Sequence, residues 1–289
     1  MAGFLGRRSY GGQASGYSPR RGGKGRLLIA LAIAAFSVIS YCRTRDYNEV
    51  TDEVQYVDLS PEQEVAIGLQ AAPEMEQQYG GLYPDPEVRA FVDRVGRRLV
   101  ERTAAKDTPY RFDFHLLNDP DTLNAFALPG GQVFVTAGLM NALDTEGELA
   151  GVLGHEIGHV VARHGAEHMA KQKLTQGLTG AAVIATYDPN DPSSQGHAAI
   201  AAMIGNLINL RYGREDEIES DVLGVRFTAE AGYDPRSMIR VMEVLRDAGG
   251  GARPAEFFST HPNPDRRIER IEEAIDRAFP DGVPDGLQR

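Results

Sequence analysis

The sequence predicts an α+β domain that is mostly α-helical, with a small sheet packed beside one helix that carries two histidines a turn apart. Three observations carry that prediction. Apolar residues recur at helical spacing through most of the chain after residue 59, and the period becomes strand-like only between residues 111 and 136. The stretch VLGHEIGHVVARH, residues 152–164, then sets His155 and His159 four apart with Glu156 between them. At 289 residues, 42% hydrophobic and 25% charged, the chain suits one main core.

Taken in order, residues 1–26 are a basic Gly/Arg/Ser-rich stretch expected to be disordered. Residues 27–42, LLIALAIAAFSVISYC, are 16 uncharged residues between Arg26 and Arg43. That is short for the roughly 20 residues a bilayer helix prefers and long for a signal core. It reads as an uncleaved anchor, a cleaved signal, or a lipoprotein signal ending at Cys42, with bulky Tyr41 unlike a lipobox. Six basic groups precede the run and two follow closely, a bias that leaves the globular part outside the cytoplasm, membrane-associated or exported into a periplasm. Cys42 is the only cysteine, which excludes an internal disulfide. Residues 43–58 read as a linker, 59–280 as the folded domain and 281–289 as a C-terminal tail.

The net charge of −11 hides a split: residues 1–45 hold eight basic groups and no acid, leaving 22 basic against 41 acidic groups beyond them. An acidic domain of this kind is not built for nucleic acid.

A helix starts at Ser60-Pro61-Glu62-Gln63, which supplies a cap, a first-turn proline and a glutamine at the third position. It runs to Tyr79, before Gly80-Gly81. A second begins at Pro86 and places Val88, Phe91, Val92, Val95 and Leu99 on one face. RFDFHLL (111–117) and QVFVT (132–136) read as strands, with LPGG between them as a turn. After the histidine helix come helices near 172–186, 197–211, 214–231 and 235–248, and an amphipathic helix ending THPNPDRRIERIEEAIDRAF. The runs at 172–186 and 197–211 are too short and interrupted to cross a membrane and are expected as buried helices.

His155 and His159 stand one above the other on their helix and can direct two imidazoles at one ion, with Glu156 about 100° round as a base for water. Leu149, Leu153, Ile157 and Val160 form an apolar face, and Gly151, Gly158 and Ala162 let another backbone approach. A catalytic zinc needs a third protein ligand and an open position. His164 and His168 project to the opposite side of a straight helix and read as polar residues at its end; His115 and His197 read as structural. In GREDEIESDVLG, residues 213–224, Glu215, Glu219, Arg226 and Glu230 share a charged face expected to be solvated. Glu217, Asp221, Gly224 and Thr228 share a small, acidic one suited to the histidine helix. Glu217 is the ligand chosen on that ground, and Asp221, one turn later, the acceptor that orients a histidine N–H.

HEIGH, EIESD 62 residues after His155, the upstream NAFALPGGQVFVTAGL and the downstream THPNPDRRI together resemble the gluzincin family of the CaaX prenyl protease, the HtpX heat-shock protease and periplasmic proteases such as BepA. The match runs from about residue 55 to 279 and is closest to the soluble periplasmic branch. Ser220 and Gly213 depart from the family's usual alanine and serine. The resemblance implies a zincin-like fold and one Zn²⁺ per chain on His155, His159 and Glu217, with Glu156 as general base. It also implies an edge strand from Gln132 to Thr136, led by Asn124-Ala125-Phe126, on which extended substrates pair. Asn124, Phe126, Val133, Phe134 and Val135 are the substrate-binding residues on this reading. His261 matches a family histidine near the cleft, as an oxyanion stabiliser or a reversible zinc plug, and Arg267 is structural, pairing with an acid. The activity implied is a zinc metalloendopeptidase acting on misfolded or misassembled envelope proteins, with unfolded or flexible polypeptides as partners and the membrane reached through the N-terminal segment. The rival readings are a chaperone-like assembly factor with a plugged site and a structural zinc domain.

Overall fold

The computed structural model describes residues 22–186, 213–249, 256–261 and 266–289. The helix expected from His197 to Arg211, His197 itself and the loop at 188–196 lie outside the described residues, as do Pro262–Asp265 of the THPNPDRRI stretch.

The long apolar helix α1 (Gly22–Cys42) leads into an antiparallel hairpin, β1 (Arg45–Asn48) and β2 (Glu53–Tyr56). The stretch read as a linker therefore has structure of its own. Its Asn48 Nδ2 donates to the Val161 carbonyl at 2.7 Å, and Gln55 Nε2 donates to the Ala162 carbonyl. These are carbonyls that the end of the histidine helix leaves without intrahelical partners.

Helix α2 (Pro61–Gln78) starts as its capping residues dictate: Ser60 Oγ accepts from the Gln63 amide and Gln63 Oε1 accepts from the Ser60 amide at 2.8 Å. Helix α3 (Pro86–Arg102) is capped by Asp85 and buries Val92, Val95 and Leu99.

The sheet contains β3 (Asp113–Leu117), β4 (Ala125–Leu128) and β5 (Gln132–Thr136) in the order β3-β5-β4. Leu-Pro-Gly-Gly does not join the two strands read from sequence. It turns β4 back onto β5, with Gly130 and Gly131 at φ of 84° and 107°, where glycine is favoured. β5 pairs with β3 on one side, parallel, and with β4 on the other.

That order corrects the expected edge. The Gln132–Thr136 strand is central, its backbone groups are used on both sides, and Val133, Phe134 and Val135 are at most 1% exposed. They are core residues with no surface to offer a substrate. β4 is the sheet's edge opposite β3, with Phe126 half-buried on it and Asn124 buried just before it. The four-residue β4 ladder was hidden in the sequence because AFAL lacks both alternation and β-branched residues.

Two further helices, α4 (Ala137–Ala142) and α5 (Glu146–Val161), follow the sheet, and α5 is buried from Gly147 to Val161. Thr145 caps it by accepting from the Glu148 amide at 3.2 Å. Arg163, at φ 59°, then breaks the path before α6 (His164–Thr186). That left-handed residue is held by Glu64 and Asp46: its Nε donates to Glu64 Oε1 at 2.9 Å and its Nη1 to Asp46 Oδ2 at 2.8 Å.

The 172–186 run is not a buried helix. Of its described side chains only Ala181 is buried, because α6 leaves the domain and lies along α1, which covers one side of it. Helices α7 (Arg214–Glu230), α8 (Ser237–Gly249), α9 (Phe257–Thr260) and α10 (Arg267–Ala278) complete the described elements. The final residues are docked onto the domain, with the Asp234 amide donating to the Gln288 carbonyl at 2.8 Å and the Gln288 amide to the Gly232 carbonyl at 3.0 Å.

Helices α5 and α7 approach through small residues. A Cβ on Gly158 would lie 3.2 Å from the Ser220 backbone, and one on Gly154 would lie 3.1 Å from Thr228 Oγ1 and 3.3 Å from the Gly224 carbonyl. Gly158→Val should therefore wedge the two helices apart and cost about 1–3 kcal/mol. Chemical denaturation would read this as a lower midpoint with an unchanged slope.

Candidate metal centre

The α5–α7 contact fixes the site. His155 and His159 point from α5 at Glu217 on α7, and His261, which follows α9, closes the group. One donor atom from each of these four buried residues falls within 4.8 Å of the others. His155 Nε2 lies 3.1 Å from His159 Nε2 and 3.7 Å from Glu217 Oε2, and His159 Nε2 lies 3.5 Å from Glu217 Oε1. His261 Nδ1 is 3.0 Å from Glu217 Oε1 and 3.4 Å from His155 Nε2.

Donors held about 2.0–2.1 Å from a tetrahedral zinc sit roughly 3.3 Å apart, so these spacings suit a small divalent ion. The charge balance points the same way. Glu156, Glu217 and Asp221 are buried together with Arg267 as the one permanently charged cation among them. Both Glu156 oxygens are buried without a hydrogen-bond donor, which is expensive for a carboxylate unless a cation or water normally meets it. A His/carboxylate set of this kind fits zinc.

Electrostatics prepares the ligands. Burial holds His159 well below its ordinary pKa, so its imidazole stays neutral. Burial by itself would raise Glu217, but hydrogen bonds with His159 and His261 hold it far below the usual carboxylate range. Glu156 goes the other way, raised by burial, which makes it a better proton acceptor than an exposed glutamate.

The surrounding contacts aim the donors. Asp221 Oδ1 lies 3.0 Å from His155 Nδ1, which turns Nε2 toward the cluster. Arg267 donates to Asp221 through Nε and Nη2, both at 2.7 Å, and its Nη1 sits 3.1 Å from Glu217 Oε2. Burial would raise the Asp221 carboxyl, and Arg267 and His155 keep it low. Arg267 thus pairs with acids as its sequence reading had it, and the acids are those of the centre itself. Glu217, Asp221 and Thr228 are all buried against the histidine helix.

The expectation for His164 is corrected. It is 1% exposed and lies beside the centre: its Nδ1 is 2.8 Å from His159 Nδ1, and its Nε2 is 2.9 Å from Glu219 Oε2. Projection along a straight helix sent it to the far side, but the break at Arg163 redirects the chain, and an arginine in a left-handed conformation leaves no mark in the sequence. Glu219, read as part of a solvated face, is thereby the outer partner of His164. His168 Nε2 bonds Asp216 Oδ2 at 2.9 Å, and His115 stacks on Phe134 in the sheet with ring centroids 4.7 Å apart.

Fold and centre together define a class, an HExxH metallopeptidase domain of zincin-like α+β construction. A family model described as Peptidase family M48 matches residues 86–275, and the chain belongs to that family. It is 32% identical over 198 residues to the Beta-barrel assembly-enhancing protease of Escherichia coli K12, covering 65% of this chain and 39% of that protein. The Yersinia pestis protein of the same name is 34% identical over 216 residues, 73% of this chain and 43% of that protein. The Mitochondrial metalloendopeptidase OMA1 of Schizosaccharomyces pombe is 30% identical over 250 residues, 86% of this chain and 71% of that one. The chain spans about two fifths of the length of the bacterial relatives it matches.

Removing the hydrogen bond to His159 should loosen the site without touching a donor. His164→Phe is expected to weaken metal affinity about 10- to 100-fold, measured by competition with a chromogenic chelator, while His168→Ala leaves it unchanged.

Proposed function

We propose that this chain is a zinc metalloendopeptidase that cuts unfolded or flexible segments of envelope proteins outside the cytoplasm, as part of protein quality control. The observation that carries the reading is the buried convergence of His155, His159 and Glu217 beside Glu156. Membership of the M48 peptidase family and similarity to a barrel-assembly-enhancing protease and a mitochondrial metalloendopeptidase point in the same direction.

Zinc, when bound, supplies the Lewis acid that polarises the scissile carbonyl and lowers the pKa of water. His155, His159 and Glu217 would hold it, and Asp221 and Arg267 keep His155 and Glu217 oriented. Glu156 takes the proton of the attacking water and returns it to the leaving amine. An extended substrate adds to the edge of β4, where pairing depends on backbone groups and so selects unfolded chain over sequence. Phe126 lies on that strand. Asn124 Nδ2, within 3.4 Å of Tyr79 Oη and 3.5 Å of Glu256 Oε1, belongs to the polar rim at its start.

His261 would act as a reversible plug by adding its own donor to the group, a role favoured over oxyanion stabilisation by the 3.0 Å and 3.4 Å approaches of its Nδ1 to Glu217 and His155. The same contacts favour a second reading, a factor that mainly holds unfolded envelope segments and cleaves rarely.

Glu156→Gln should lower cleavage of an unfolded reporter protein by about 10²- to 10⁴-fold with zinc content unchanged. Equal rates in the two proteins would instead leave the holding reading. His261→Ala is expected to cleave faster than wild type. A slower variant with normal zinc affinity would assign the histidine to the oxyanion.

A further inference from the structure

The segment of α6 that leaves the domain has no covering element other than α1 among the described residues, and its chemistry changes along its length. Lys171 pairs with Glu167 at 3.1 Å, and Lys173 pairs with Asp58. From Leu174 to Thr186 the helix carries no charged residue. α1 is likewise uncharged from Leu27 to Cys42, and the window Lys24–Cys42 is long and apolar enough to cross a bilayer, with only 6% of it buried. Leu28 is 67% exposed, Phe36 73% and, on α6, Leu178 38%.

The two helices are antiparallel and in step. Ser37 meets Gly177 so closely that a Cβ there would collide with the serine hydroxyl, while Ser40, Tyr41 and Thr44 lie by Ala170, Lys173 and Leu174. Rising numbers on α1 thus meet falling numbers on α6, and both helices lose their charges at one level. Tyr41, stacked on Tyr56 with ring centroids 4.8 Å apart, lies at that level, and tyrosine is a residue type enriched at membrane–water interfaces. Small residues at the contact, Ser37 against Gly177, are the means by which helices associate in lipid.

We infer that the outer half of α6, from Leu174, is embedded in the lipid bilayer beside α1 and anchors the metal centre at a fixed height above the membrane. This rests on the reading of residues 27–42 as a retained anchor. At 1.5 Å per residue, Leu174–Thr186 reaches about 20 Å, short of the roughly 30 Å hydrocarbon core, so α6 enters without crossing in this segment. His164, the first residue of α6, stands about 15 Å along the same axis from Leu174. Since His164 bonds His159, the centre is tied to that height, and the chain segments within its reach are those that emerge next to the bilayer.

The sequence has no tryptophan, so one introduced residue reports alone. Full-length Phe36→Trp, Leu178→Trp and Leu82→Trp proteins would be reconstituted in phosphatidylcholine vesicles with and without brominated acyl chains. Phe36→Trp and Leu178→Trp should emit at blue-shifted wavelengths and lose most of their intensity to bromine, while Leu82→Trp, on the domain, keeps its own. Quenching of Phe36→Trp with none of Leu178→Trp would overturn the embedding of α6 alone. Absence of quenching at both positions would overturn the anchor reading, and this inference with it.

Discussion

Everything at the centre depends on how closely α5 and α7 approach. Gly154 and Gly158 on one helix and Ser220 and Gly224 on the other leave no side-chain layer between them, so Glu217 reaches the two histidines directly. A layer of methyl groups would separate the donors by more than a metal–ligand bond can bridge. The same closeness buries Glu156, Glu217 and Asp221, a cost the protein offsets with the buried Arg267 and with a donor arrangement that fits a cation.

Around this contact the other elements act as supports. The β1–β2 hairpin caps the end of α5, the left-handed Arg163 turns the chain so that His164 comes back under His159, and Arg267 on α10 fastens Asp221 and Glu217. α6 then runs from the centre to the uncharged pair it forms with α1. The metal centre and the proposed membrane anchor thereby share one continuous piece of chain.

Much of the site was legible in the sequence because helical periodicity is local. His155, Glu156 and His159 announce their geometry through a spacing of four, and the acidic, small face of Glu217, Asp221, Gly224 and Thr228 could be read from the helical wheel alone. The caps at Ser60 and Asp85 and the starts of α2 and α3 follow from side chains within three residues of them. Strand order has no such local signature. QVFVT reads equally well as an edge or a centre, and only its pairing with β3 and β4 removes Val133, Phe134 and Val135 from the substrate surface.

The sequence by itself determined the class of fold, the histidine pair with the carboxylate beside it, and the helix that brings a third donor to them, since periodicity and spacing are read from residues a turn or two apart. Tertiary structure alone decided that His164 belongs beside the centre, that Arg267 joins two of its acids, that β4 is the edge, and that the 172–186 helix lies against α1 instead of in the core. Those are contacts between residues as far apart as Arg267 and Asp221, or Gly177 and Ser37, and they exist only once a backbone turn or a shared small-residue surface brings distant segments into van der Waals reach.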